Sequence, residues 1–291
     1  MRNARAEFLE RFPRLPDFIA LARLDRPIGI YLLLWPTMWG LWFAAEGWPG
    51  WHLFLVFGIG AVLTRSAGCV MNDIADRDFD LHVKRTEDRP LAQRKISVAE
   101  AAIYMAGLIF FALVLVLTTN LLTVGLAAIA AAIAAIYPFM KRYTYLPQVV
   151  LGIAFSMGIP MAFAAFRGEI PNLAWLIATA NVVWTVAYDT EYAMVDRDDD
   201  IKLGLRSSAI LFGDMDKLII GVLQALFVFT MVLAGRLAEV GLAYYLGLCA
   251  ATGFFIYQHV LIKDRERLDC LAAFLNNHWA GLVIFLGLAL A

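Results

Sequence analysis

Two short stretches of the chain hold acids in a pattern that could bind a metal ion. In the first stretch, Asn72, Asp76 and Asp80 are each four residues apart and directly follow a long apolar run. A helix would therefore place all three side chains on one face. Carboxylate and amide oxygens are the ligands that a hard cation such as Mg2+ prefers. The spacing predicts a cation site at the end of an apolar helix.

The second stretch repeats this pattern. It runs from Tyr188 to Asp200 and again follows an apolar run, and the two stretches together hold ten of the 25 acids in the chain. Four residues recur in the same order 120 positions later, Asp76, Arg77, Asp78 and Asp80 matching Asp196, Arg197, Asp198 and Asp200. Pro27 and Pro147 are also 120 positions apart. Such recurrence indicates an internal duplication in which each copy contributes one acidic helix end.

The composition indicates what kind of protein positions these residues. Hydrophobic residues make up 62% of the 291 residues, charged residues only 17%, and the mean hydropathy is +0.71. Soluble domains have an apolar share nearer roughly 45 to 50%. The chain is therefore predicted to be an all-α polytopic membrane protein, and nothing in it favours nucleic acid binding. The three cysteines and four histidines are isolated in the sequence and are interpreted as packing residues.

The apolar runs predict about nine membrane spans in one bundle. Residues 1–26 form an amphipathic, arginine-rich arm at the membrane surface, and 27–291 form a single transmembrane domain. An offset of 120 residues corresponds to four spans, so the simplest architecture is two four-helix repeats and a ninth helix. The predicted spans lie near 27–45, 52–71, 99–118, 121–140, 147–166, 172–189, 217–235, 240–261 and 271–290.

The basic residues predict the orientation of the bundle. All but Arg167 and Arg236 of the 24 lysines and arginines fall on one side of the predicted spans, which the positive-inside rule assigns to the cytoplasm. Both acidic stretches and the N-terminus then lie on the cytoplasmic face. Metal-binding acids and cations at one mouth of a bundle are suited to binding a diphosphate. The cations nearest the acidic stretches are Lys84, Arg89, Lys141, Arg142, Lys202 and Arg206.

These motifs resemble those of a known family. Asn72-Asp73-x-x-Asp76-x-x-x-Asp80, Lys84-Arg85-Thr86-x-x-Arg89-Pro90, Tyr137-Pro138-x-x-Lys141-Arg142 and Tyr188-Asp189-Thr190-x-Tyr192-Ala193-x-x-Asp196-x-x-Asp199-Asp200 are similar to the signatures of the UbiA-type intramembrane aromatic prenyltransferases. The stretches 146–165 and 202–207 resemble in particular the bacterial 4-hydroxybenzoate polyprenyltransferases of ubiquinone synthesis. The resemblance extends from Asp25 to the C-terminus.

The resemblance implies a reaction and a role for each motif. The expected substrates are a polyprenyl diphosphate and 4-hydroxybenzoate, or another aromatic acceptor, in a lipid environment at the bacterial inner membrane. Mg2+ is the expected cofactor. Tyr137 and Tyr192 are expected to line the pocket, and the basic residues named above to bind diphosphate. The expected metal ligands are Asn72, Asp76, Asp80, Asp196 and Asp200, of which the four aspartates are also the expected catalytic residues.

Several assignments stay open at the level of sequence. The cation for the acceptor carboxylate is Arg26, Arg65 or Arg142, and a carboxylate of the second motif such as Asp196 is a candidate for polarising the phenol. Asp73, Asp189 and Asp199 are either indirect ligands or outside the site, whereas Asp78 and Asp198 are expected to be exposed or paired locally with Arg77 and Arg197.

A secondary transporter is the leading rival function, because intramembrane acids and repeats also occur in transporters. Acids at helix ends on one side only count against it. The CDP-alcohol phosphotransferases also use clustered aspartates, but the acids of this chain lack the glycines expected between them.

Overall fold

A computed structural model describes residues 11–80 and 86–291, and this part of the chain consists of helices joined by short loops. Short 3-10 turns at Gly213–Met215 and Ile262–Asp264 lie between helices. In chain order the helices are α1 (Leu15–Leu21), α2 (Ile28–Ala45), α3 (Trp51–Asp80), α4 (Val98–Val116), α5 (Leu121–Ile136), a 3-10 helix (Tyr137–Arg142), α6 (Pro147–Ser156), α7 (Gly158–Arg167), α8 (Asn172–Leu203), α9 (Ser208–Phe212), α10 (Asp216–Leu237), α11 (Leu242–Leu261) and α12 (Arg267–Ala289).

The all-helical, multi-pass architecture is as predicted. Within the described residues, eight stretches are long and apolar enough to cross a membrane: Ile28–Ala45, Trp51–Arg77, Val98–Val116, Leu121–Met140, Pro147–Arg167, Ser208–Leu237, Leu242–Asp264 and Arg267–Ala289. The predicted span at 172–189 lies in α8, which is less apolar. Two of its polar side chains donate hydrogen bonds inside the bundle, Asn181 to Ser156 Oγ at 2.9 Å and Thr185 to the Asn181 carbonyl at 2.8 Å. With α8 included, the helices fit the expected nine spans.

The two halves of the chain contain corresponding helices. The first four long helices start at residues 28, 51, 98 and 121, and their counterparts start at 147, 172, 216 and 242, with α6 and α7 together forming one span. Each pair of starts is 118 to 121 residues apart, close to the 120-residue offset of the acidic motifs. The last helix, α12, has no counterpart in the first half. The predicted arrangement of two four-helix repeats and an added helix therefore fits the structure.

Local sequence fixes several helix starts. Ser97 and Glu100 form a capping box at the start of α4, and the Asn120 side chain accepts a hydrogen bond from the Thr123 amide at the start of α5. The side chain of Arg167, predicted on the non-cytoplasmic side, donates to the carbonyl of Ala44 at 2.7 Å. It thereby binds the C-terminal end of α2, where carbonyls lack helical partners.

The core is centred on α8, which packs against α6, α10 and α12. Trp39 of α2 and Trp184 of α8 are fully buried, with ring centroids 5.4 Å apart. Both indole nitrogens are satisfied by α12, since Trp39 donates to the Gly281 carbonyl at 3.1 Å and Trp184 to Asn277 Oδ1 at 3.0 Å. In contrast, α4 and α5 keep most of their apolar side chains exposed, as expected of surfaces that face lipid.

Candidate active site

Both acidic stretches extend their apolar helices beyond the predicted spans. The helix α3 continues to Asp80 and α8 continues to Leu203, whereas the sequence predicted membrane spans ending at 71 and 189. The helical spacing therefore holds through both motifs. Asn72 and Asp76 are half-buried on α3, and the side chains of residues 78–80, including Asp80, lie outside the described part.

On α8, the predicted site residues share one face of the helix. Tyr192, Asp196 and Asp200 follow one another at intervals of four residues, and all three are half-buried. Asp189 lies one turn before Tyr192. The Tyr192 ring packs on Phe274 of α12 with centroids 4.6 Å apart. This contact leaves the acidic face of α8 anchored against the last helix of the bundle.

Tyr137 lies near residues of both acidic helices. Its hydroxyl interacts electrostatically with Arg65 and Asp76 of α3 and with Asp189 and Tyr192 of α8. Tyr137 begins the 3-10 helix after α5, where Pro138 favours the change from α-helical geometry. That Tyr137 and Tyr192 line a common pocket stays a prediction.

Two of the predicted basic residues reach the same region. Arg142 ends the 3-10 helix, and its Nη2 lies 3.5 Å from the carbonyl of Ala75, next to Asp76 in sequence. Arg206 donates to the carbonyl of Tyr143 at 2.8 Å and lies over the ring of Tyr145. The loop after α8 is thus joined to the loop after the 3-10 helix. The side chains of Arg142 and Arg206 are both exposed.

The other predicted cations are placed differently. Arg89 forms an ion pair with Asp73 at 3.0 Å, and the carboxylate of Asp73 is only 1% exposed. Lys202 is largely exposed and lies 3.9 Å from Asp199. Lys84 and the side chain of Lys141 lie outside the described residues.

The open acids of the second motif have partners on α12. Arg267 contacts Asp199 at 2.9 Å and the exposed Asp198 at 3.6 Å. The expectation that Asp198 is exposed or paired with Arg197 is confirmed in its first form, since the Asp198 side chain is 73% exposed. Arg197 instead contacts the fully buried Asp216 at 3.6 Å. Arg265 binds the same carboxylate at 2.7 Å, and this hydrogen bonding raises the pKa of the Arg265 guanidinium above its ordinary value.

Arg65 is the most enclosed cation near the site. Its Nη1 lies 2.9 Å from Cys69 Sγ, its guanidinium lies over the Phe155 ring, and its buried Nε has no hydrogen-bond partner among the described residues. A Cβ on Gly29 would come within 2.5 Å of that Nε, so the absent side chain provides the space for the guanidinium. An unpartnered buried donor needs an acceptor, and a ligand carboxylate would supply one.

Sequence reasoning missed three features around the site. Cys69 contacts Arg65 and is not only a packing residue. Arg23, assigned to a surface arm, binds Asp73 through both carboxylate oxygens. Glu191 is fully buried and accepts a hydrogen bond from Asn277 at 2.8 Å. Only Glu191 carried a signal of burial in the sequence, because it lies one helical turn before the apolar Val195 and so on the same face of the helix.

The donor set suits a hard cation, although it is not a closed metal cage. No three histidine, cysteine or acidic side chains converge on one point within residues 11–80 and 86–291, where the side chain of Asp80 is not described. Oxygen donors from two helix ends, with the rest of the shell supplied by water and substrate phosphate, are typical of Mg2+ sites. The residues present therefore fit Mg2+ that binds together with a diphosphate.

Comparison with known proteins places the sequence among relatives of one family. Residues 33–282 match the model of the UbiA prenyltransferase family. A protein of Chromohalobacter salexigens named 4-hydroxybenzoate octaprenyltransferase is 59% identical over 278 residues, which cover 96% of this chain and 93% of that protein.

Solved structures have the same fold. The apo structure of a UbiA homologue from Aeropyrum pernix K1 aligns with a TM-score of 0.81 at 22% identity, covering 90% of this chain and 97% of that one. A UbiA homologue from Archaeoglobus fulgidus bound to GPP and Mg2+ aligns with a TM-score of 0.70 at 18% identity, covering 92% of this chain and 99% of that one. At such identities the likeness concerns the fold. Because the family model covers most of the sequence and both acidic motifs, this chain belongs to the UbiA prenyltransferase family.

Proposed function

We propose that this chain transfers the polyprenyl group of a polyprenyl diphosphate to the ring carbon ortho to the hydroxyl of 4-hydroxybenzoate, in ubiquinone biosynthesis. The 59% identity to a 4-hydroxybenzoate octaprenyltransferase over nearly the whole chain is the observation that carries this proposal. The electrostatic coupling of Tyr137 to Asp76 of α3 and Asp189 of α8 supports it, because acids of both helices near one side chain suit a metal-bound diphosphate leaving group.

The diphosphate is bound at the mouth of the site. Asn72, Asp76 and Asp80 of α3, with Asp196 and Asp200 of α8, would hold Mg2+ and through it the phosphate oxygens. Mg2+ bound there supplies positive charge that stabilises the departing diphosphate. Arg142 beside Ala75, together with Lys141, Lys84 and Arg89, is proposed to bind the same oxygens. Arg206 and Lys202 are proposed to contribute long-range positive charge at the entrance.

The acceptor is proposed to lie deeper, against Arg65. The sequence left three candidate cations for the acceptor carboxylate, Arg26, Arg65 and Arg142. The side chain of Arg26 is 81% exposed, and that of Arg142 is exposed and lies beside the acids. Only Arg65 combines enclosure with an unpartnered Nε among the described residues. A guanidinium binds a carboxylate through two parallel hydrogen bonds, which would orient the ring of 4-hydroxybenzoate.

The reaction then needs one bond to break and one to form. The allylic C–O bond breaks with its electron pair staying on the diphosphate. The ortho carbon attacks the allylic carbon, and loss of its ring proton restores aromaticity. Asp189 interacts with Tyr137 near Arg65, and Asp196 lies two turns further along α8, so these are our candidates for polarising the phenol. The cytoplasmic face of the bacterial inner membrane is the proposed location, since the basic residues cluster there.

Purified protein supplied with polyprenyl diphosphate, 4-hydroxybenzoate and Mg2+ tests the proposal by mass spectrometry of the product. We expect a C-prenylated acid, whose formation stops when the metal is chelated and slows by about 100- to 1,000-fold in Asp196→Asn. Asp198→Asn is the matched control, because its exposed side chain lies two residues away and contacts Arg267. Prenylation of a different aromatic acceptor in preference to 4-hydroxybenzoate, or equal loss in both variants, would contradict the proposal.

A further inference from the structure

The short helix α1 ends in an arginine with an unusual backbone conformation. The Arg23 amide donates to the Ala20 carbonyl at 3.1 Å and the Leu24 amide to the Ile19 carbonyl at 3.0 Å, which is the hydrogen-bond pattern of a Schellman motif. Arg23 occupies its left-handed position with φ of 56°. Glycine is usual at this position because a Cβ is strained there. A non-glycine residue at such a position suggests that its side chain has a use.

The guanidinium of Arg23 is held in one orientation. Its Nη1 donates to the Ala20 carbonyl at 2.9 Å, and its Nη2 lies 2.9 and 3.1 Å from the two carboxylate oxygens of Asp73. Arg89, from the loop before α4, contacts the same carboxylate at 3.0 Å. Asp73 is 1% exposed, so its charge is stabilised by these two arginines rather than by water.

The arm that carries Arg23 is packed on the bundle and does not only lie on a membrane surface. Leu21 is fully buried in a small core with Val70 of α3 and with Leu91 and Ile96 of the following loop. The Phe18 ring packs edge-on against Tyr104 of α4 with centroids 5.2 Å apart. The arm, the loop and α4 thus form one support around the end of α3.

We propose that Arg23 is a positioning residue that acts through Asp73 to fix the metal-binding face of α3. Asp73 is next to Asn72 and one turn before Asp76, so the pair with Arg23 sets the rotation of the last turns on which both ligands lie. This inference rests on the proposed function, since the face in question is that of the proposed Mg2+–diphosphate site. It gives the N-terminal arm, which precedes the region matched by the family model, a part in substrate binding.

Metal binding measured without turnover tests the inference. The rise in melting temperature caused by Mg2+ with inorganic diphosphate is recorded in detergent for the wild type, Arg23→Ala, Arg23→Lys and Arg14→Ala. We expect Arg23→Ala to raise the half-saturating Mg2+ concentration about ten-fold, as loss of a ligand-orienting partner does. Arg23→Lys keeps the charge but not both contacts, so we expect a smaller increase, which is measurable even if the alanine variant unfolds.

Arg14→Ala is the matched control for arm docking. Arg14 lies on the same arm and binds Glu100 of α4, but its contact is exposed and does not involve α3. We expect it to leave the half-saturating Mg2+ concentration unchanged. An increase equal to that of Arg23→Ala would overturn the assignment to Arg23, because it would reflect general loosening of the arm.

A double-mutant cycle shows whether Arg23 acts through Asp73. In an Asp73→Asn background, Arg23→Ala should add little further change, because contacting partners are not additive. Additive increases would overturn the proposed route. A wild type that gains no stability from Mg2+ and diphosphate would contradict the proposed function itself, whereas a responsive wild type with an equally responsive Arg23→Ala would overturn this inference alone.

Discussion

The acidic ends of α3 and α8 carry the same Asp-Arg-Asp-x-Asp pattern but are held in place by different interactions. On α3 the acidic stretch supplies the buried carboxylate, Asp73, and two arginines from the arm and the loop bind it. On α8 the acidic stretch supplies the arginine, Arg197. It contacts Asp216 at the start of α10, which Arg265 also binds.

The second acidic stretch also contains an anchor, Glu191, that has no acidic counterpart in the first. Glu191 accepts from Asn277 of α12 at 2.8 Å and lies 3.5 Å from Gln224 of α10, which donates to Gln258 of α11 at 2.8 Å. The position 120 residues earlier is Met71. The duplication has therefore kept Asp76 and Asp80 as Asp196 and Asp200, while Tyr192 stands at the position of Asn72 and each end uses whichever neighbours pack against it.

The largest expected effect concerns the feature that the two ends share. Asp76→Asn and Asp196→Asn should each lower the rate of product formation by about 100- to 1,000-fold, since each removes charge that stabilises the transition state. Single-turnover assays at saturating substrate measure this loss. If one variant kept near wild-type activity, the two ends would not be functional equivalents.

Breaking the anchor between α8 and α10 should reduce stability strongly. Asp216→Ala leaves Arg197 and Arg265 without the buried carboxylate that both bind. We expect a loss of about 3 kcal/mol in the free energy of unfolding, because removing one partner of a buried ion pair leaves the charge of the other partners uncompensated. Denaturant unfolding in detergent measures it, with Asp214→Ala as control because only the backbone carbonyl of Asp214 is bound by Arg265. Similar losses in both variants would argue against the role of the carboxylate.

The buried amide network should contribute less. Glu191→Leu should lower the free energy of unfolding by about 2 kcal/mol, because the buried side-chain amide of Asn277 would lose the acceptor of its hydrogen bond. Glu191→Gln keeps an acceptor oxygen and should cost clearly less. The same unfolding assay distinguishes the two, and an equally large loss in Glu191→Gln would show that the negative charge, not the acceptor, is what the network requires.

Arg65 sharpens the comparison, because the equivalent position in the second half is Thr185. Arg65→Gln should raise KM for 4-hydroxybenzoate about 30-fold, or about 2 kcal/mol, as expected for loss of a charge-assisted pair. The KM for the polyprenyl diphosphate should stay within two- to three-fold of wild type. Steady-state kinetics with each substrate varied in turn provide the measurement, and a larger change in the donor KM would move Arg65 to the diphosphate.

The smallest effect is expected at the edge of the second acidic stretch. Arg267→Ala removes partly exposed ion pairs to Asp198 and Asp199. Such pairs contribute roughly 0.2 to 1 kcal/mol, so unfolding should shift by less than about 1 kcal/mol. The free energy of unfolding at low and high salt checks this, because the difference from wild type should shrink as salt screens the charges. A loss as large as that of Asp216→Ala would mean that Arg267 supports the helix end itself.

The sequence by itself determined the membrane-spanning class, the internal repeat and the two acidic faces. These follow from hydropathy, from identical residues 120 positions apart and from the helical spacing of Asn72, Asp76 and Asp80, all of which are local properties of the chain. Helix ends were less certain. Polar motifs continue α3 and α8 beyond their apolar segments, so hydropathy ended both spans early.

Only the tertiary structure decided which side chains support those faces. The pairing of Arg23 with Asp73 joins residues 50 positions apart, and that of Glu191 with Asn277 joins residues 86 positions apart. The enclosure of Arg65 depends on Gly29 and Phe155 from two other helices. Among the 22 basic residues that lie on the predicted cytoplasmic side, no sequence pattern identifies Arg65 as the one enclosed next to Gly29 and Phe155. Burial is a property of the packed bundle, because it depends on which helices meet.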